Sequence, residues 1–63
     1  MTQKELLYYE DAIEHEKSIT KICEEAIKQL TDDSLIEFMN DEISKHQTNE
    51  KRLLDLMEDK ANG

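Results

Sequence analysis

The sequence predicts an all-α protein, a helical hairpin that dimerises into an antiparallel four-helix bundle. Three observations carry this. The chain of 63 residues contains no proline, no tryptophan and a single glycine, at its last position. It is built largely from Leu, Ile, Glu, Lys, Asp and Met, which favour helices, and lacks the Val-rich runs and Gly/Pro turns of sheets. Apolar residues recur at helical spacing in two stretches of nearly equal length, separated by a short polar break. At this size only one domain fits. A chain so short buries only about 60% of its unfolded surface, so such domains lean on disulfides, a metal or a partner subunit. The lone Cys23 removes the intrachain disulfide and leaves the other two.

The first helix is expected over residues 3–30. Thr2 followed three residues later by Glu5 forms a capping box, which satisfies amide donors at a helix start. Apolar residues then follow at Leu6, Tyr9, Ile13, Ile19, Ile22, Cys23, Ala26, Ile27 and Leu30 on one broad face. The charged residues Glu14, Lys17, Lys21, Glu24 and Lys28 form a solvated face with helical pairs. Thr31-Asp32-Asp33-Ser34 offers short side chains that cap backbone donors, so a turn is expected over 31–33. The second helix is expected over 33–59, with its stripe at Leu35, Phe38, Met39, Ile43, Leu53, Leu54, Leu56 and Met57, and with residues 60–63 as a frayed tail.

Helices of about 28 residues are roughly 42 Å long. A connection this short makes them antiparallel. Each stripe is wider than one neighbour can cover, so a second hairpin is expected to cover the remainder, most simply through a closed twofold interface.

Charge narrows the function classes. Sixteen acidic residues against eight basic ones give a net charge of −8. The basic residues are scattered rather than clustered, so neither nucleic acid nor an anionic membrane is an expected partner. No stretch has the apolar core of a signal peptide or the length of a membrane span, and a soluble cytoplasmic protein is expected. Cys23 lies on the apolar stripe with no histidine in its layer, and reads as a small buried hydrophobe. Tyr9 is expected to point inward and Tyr8 to lie at the boundary, with His15 at the edge of the stripe.

If the turn centres near residue 31, residues whose numbers sum to about 62 lie opposite each other. Leu6 then meets Leu56, Tyr9 meets Leu53, Ile13 meets Asn49, Glu16 meets His46, Thr20 meets Glu42, Cys23 meets Met39 and Ile27 meets Leu35. The middle layers are polar where apolar residues belong. An unpaired carboxylate buried there would cost several kcal/mol, so something must compensate Glu16. A Glu16–His46 ion pair would do so and would fix register and orientation. A zinc or iron ion held by Glu16 and His46, helped by Glu42, Glu50 or Asn49, is the second possibility. The third is a rotation that brings Glu16 and Glu42 to solvent and leaves His46 an ordinary buried histidine.

The span from Tyr8 to Met57, with Tyr8-Tyr9-Glu10-Asp11-Ala12-Ile13-Glu14-His15-Glu16, the turn Leu30 to Leu35 and Glu42-Ile43-Ser44-Lys45-His46, resembles one helical hairpin of the ferritin-like superfamily. It is similar to the two-helix proteins of spore-coat and encapsulated-ferritin type. That family places a metal-binding Glu on the first helix and a Glu-x-x-His on the second. Glu16 matches the first slot. The second motif is interrupted, by Ile43 if His46 is the family's histidine, or by Asn49 if His46 takes the glutamate's place. The resemblance therefore implies a degenerate site. The expected function is a small homodimeric interaction or assembly protein without catalytic activity and without a cofactor, in a spore-coat-related setting. The alternative is a ferritin-like module holding zinc or iron. A second copy is the expected partner, with another protein as the further candidate.

Overall fold

A computed structural model, which describes residues 1–62, contains two antiparallel helices, α1 (Gln3–Ile27) and α2 (Asp33–Asn62). The capping box forms: Thr2 N donates to Glu5 Oε1 at 3.0 Å and Glu5 N donates to Thr2 Oγ1 at 3.1 Å. Those hydrogen bonds to Thr2, the backbone one first, hold the Glu5 carboxyl below its ordinary pKa.

Helix α1 stops three residues short of the expected Leu30. Gln29 N and Leu30 N bond to the carbonyls of Ala26 and Ile27, at 3.0 and 3.3 Å. These three-residue bonds tighten the last turn and end it without a glycine. The connection is consequently residues 28–32, and Leu30 is half-buried within it. Asp32 starts α2. Its Oδ1 accepts from Ser34 Oγ at 2.6 Å, from Ser34 N at 2.9 Å and from Leu35 N at 3.2 Å. These bonds, the Ser34 hydroxyl foremost, lower the Asp32 pKa. The tail also differs from expectation, because α2 continues through Asn62. Lys60 and Ala61 are good helix formers, and a cation in the last turn suits the negative helix end. Gly63, the last residue of the expected tail, lies outside the described residues.

The seam between the helices follows an alternating spacing of three and four. It runs through Leu6, Tyr9, Ile13, Glu16, Thr20, Cys23 and Ile27 on α1, and Ile36, Met39, Ile43, His46, Glu50, Leu53 and Met57 on α2. All of these are buried or half-buried. The expected inward positions Leu35, Asn49 and Leu56 are exposed instead. Their places are taken by Ile36, Glu50 and Met57, each one residue later and so turned by about 100°. Both lines, Leu35-Glu42-Asn49-Leu56 and Ile36-Ile43-Glu50-Met57, fit helical spacing beside Met39, His46 and Leu53, but the second is apolar at Ile36, Ile43 and Met57 and the first only at Leu35 and Leu56, so the second buries more apolar surface.

The molecule measures 47 × 15 × 10 Å, two rods side by side and one rod thick. Among the described residues only Ile13, Thr20 and Cys23 are buried. A single layer of helices cannot enclose a core, since stable domains pack at least two layers.

Candidate functional site

The polar middle of the seam is assembled from both helices. Glu16 projects from α1 beside Ile13 and Thr20 of the same seam, and His46 projects from α2 one turn beyond Glu42. His46 Nδ1 is hydrogen-bonded to Glu16 Oε2. Glu42 Oε2 lies 3.5 Å from His46 Nε2. Side-chain exposures of 17% for Glu16, 20% for His46 and 26% for Glu42 place all three at the edge of the seam rather than deep inside it. An ionised carboxylate only accepts, so Nδ1 carries a proton and donates to Glu16. The layer is thus an acid–imidazole–acid row, with one carboxylate at each ring nitrogen.

The other candidate ligands fall differently. Glu50 is half-buried on the seam one turn beyond His46, whereas Asn49 is exposed. Glu16 and Glu42 sit on opposite nitrogens of the ring. Those nitrogens point away from each other, so the two carboxylates do not converge with His46 on one point. Among the described residues there is no group of three His, Cys, Asp or Glu side chains arranged to hold a metal ion. Thr20, one turn along α1 from Glu16, is buried with a hydroxyl that has no hydrogen-bond partner within the chain. Glu42 also pairs with Lys45 at 3.5 Å. Cys23 is buried with a free thiol, and His15 is exposed. Tyr9 is half-buried, and Tyr8 is exposed with the Lys4 ammonium 5.9 Å from its ring centre.

A second feature is the open face beside this layer. An antiparallel pair has an approximate twofold axis normal to the plane of the hairpin, so positions offset equally from the seam on each helix emerge on the same face. On α1 these are Tyr8, Ala12, His15, Ile19, Ile22 and Ala26, again at alternating spacing. On α2 they are Leu35, Phe38, Glu42, Lys45, Asn49, Arg52 and Leu56. Ile22 is 67% exposed, Tyr8 62% and Phe38 56%. Leu35 and Leu56 are exposed on the same face, whereas the exposed Leu7 and Met1 are not part of it. Periodicity identified the wide stripe from sequence, but it did not separate the seam from this second line. Of the chain's 16 acidic residues, Glu42 alone lies on the face between Tyr8 and Leu56, and it is turned toward His46. The opposite edge of the hairpin carries Glu10, Lys17, Glu24, Asn40 and Gln47, all exposed.

Fold and site together define a two-helix hairpin with a buried-edge Glu–His–Glu row and one open face that is apolar along α1 and at both ends of α2. The chain matches no protein-family model, no curated protein and no solved structure. No helix among the described residues is long and apolar enough to cross a membrane.

Proposed function

We propose that the protein is a homodimeric interaction or assembly protein, two hairpins closing into a four-helix bundle, with no catalytic activity. The observation that carries this is the open apolar face on a molecule one helix thick. Its accessible surface is 4992 Å². A compact monomer of its 7.4 kDa mass exposes about 4,200 Å². The excess is close to the roughly 800 Å² that each partner buries in a standard interface. A second copy supplies the missing layer without setting acid against acid across it, because the face is almost free of the acids that dominate the rest of the surface.

The central row then specifies register and orientation, as buried polar residues do in coiled coils. The ferritin-like, spore-coat-type resemblance supports a role in assembly rather than turnover. The alternative of a zinc- or iron-holding module would use the same side chains, but it requires at least one carboxylate to leave the imidazole and swing toward the other. The ion pair has first claim on these groups.

Folding coupled to dimerisation makes the thermal midpoint depend on concentration. A hundredfold dilution is worth about 2.8 kcal/mol per dimer. For a cooperative unit of two such chains it lowers the midpoint by on the order of 10 °C. Melting followed by circular dichroism over that range checks this. A midpoint that does not move would count against the dimer.

A further inference from the structure

The open face also determines how the second copy sits, an inference that rests on the dimer proposed above. Two hairpins stacked face to face about a twofold axis have two choices. With the axis along the rods, both turns lie at the same end and α1 covers the partner's α2. With the axis across the rods, the turns lie at opposite ends, α1 covers the partner's α1 and α2 the partner's α2.

The two halves of the face are unlike each other. The α1 line is apolar or neutral throughout, whereas the α2 line is apolar only at its ends and charged or polar from Glu42 to Arg52. In the same-end stacking, Ile19 would come level with the partner's Glu42 and Lys45, setting an aliphatic side chain against charges that would lose water without gaining a partner. In the opposite-end stacking, like meets like. The midpoints of α1 (Gln3–Ile27) and α2 (Asp33–Asn62) both fall at the level of His15, so the axis crosses there if the rods overlap fully. Tyr8 is then level with the partner's Ile22, and Ala12 with the partner's Ile19. On α2, Phe38 is level with the partner's Leu56, Lys45 with the partner's Asn49, and Glu42 with the partner's Arg52. One axis position serves both helices. The geometry points to an antiparallel dimer with turns at opposite ends, joined by one α1–α1 seam and two Glu42–Arg52 pairs.

Amine cross-linking of the native protein, with mass spectrometry on a mixture of light and heavy nitrogen-labelled chains, tests this without any substitution. Within one chain Lys28, beside the turn, and Lys60, at the open end, are roughly 38 Å apart along the rod at 1.5 Å per residue, beyond a short cross-linker. In the opposite-end dimer Lys28 of one copy lies near Lys60 of the other, so a Lys28–Lys60 link confined to the two-chain band is expected. A Lys28–Lys28 link between light and heavy chains, with no Lys28–Lys60 link, would overturn the orientation and leave the dimer standing. Failure to form any two-chain band would overturn both.

Discussion

Replacing Ile22 with aspartate is expected to separate the two copies and unfold them. In an isolated hairpin the substitution would hardly matter. Ile22 is 67% exposed, and exposed positions usually change stability by less than about 0.5 kcal/mol. In the proposed bundle the same residue would lie between copies, and the twofold axis would place two new carboxylates in an apolar line. Each costs several kcal/mol when buried without a partner. Together they raise the dissociation constant by at least about a thousandfold. With only Ile13, Thr20 and Cys23 buried among the described residues of one chain, the released hairpin has too little core to stay folded. Circular dichroism and sedimentation of Ile22→Asp at micromolar concentration should show a largely unfolded single chain. Gln47→Asp, exposed on the opposite edge of the hairpin, should leave mass and helicity unchanged. An Ile22→Asp protein that remains helical and dimeric would remove the open face from the account.

The second large effect concerns the central row. Glu16→Leu alone strands the His46 Nδ1 donor at the edge of the seam. An unpartnered donor of that kind costs about 1–3 kcal/mol, which lowers the melting midpoint by roughly 5–15 °C. Adding His46→Leu should restore the midpoint or raise it, because well-packed apolar residues commonly replace a buried ion pair without loss. Glu42 keeps Lys45 as a partner at 3.5 Å in that variant. The expected pattern is therefore one poor single variant rescued by the second substitution, measured by thermal melting. A double variant as unstable as the single one would show that the row contributes more than orientation, and would move the balance toward a metal held there.

Much of this architecture was legible in the residue pattern, for identifiable reasons. Two stripes at helical spacing, the Thr2/Glu5 box and the Asp32–Ser34 break pointed to two helices. Equal distances from the turn then put Glu16 opposite His46. The rotation of α2 was less legible, because the adjacent apolar pairs Leu35-Ile36 and Leu56-Met57 let either member face inward. Two pairs discriminate: Asn49-Glu50 favours the less polar Asn49, whereas Glu42-Ile43 favours Ile43. Burying Ile43 in place of Glu42 outweighs the preference at Asn49-Glu50. The end of α1 was hidden for a similar reason. Lys28-Gln29-Leu30 contains no glycine or proline, and it leaves the helix only because Asp32 captures Ser34 and Leu35 to start the next one. The Glu42 contact to His46 follows from i,i+4 spacing on α2 and could have been found by asking which acid lies one turn before the histidine.

Sedimentation equilibrium of the unmodified protein at tens of micromolar tests the central idea most directly, that one hairpin is half of a folded unit. The expected mass is about twice the 7.4 kDa of a single chain. A well-folded species at the mass of one chain would contradict it.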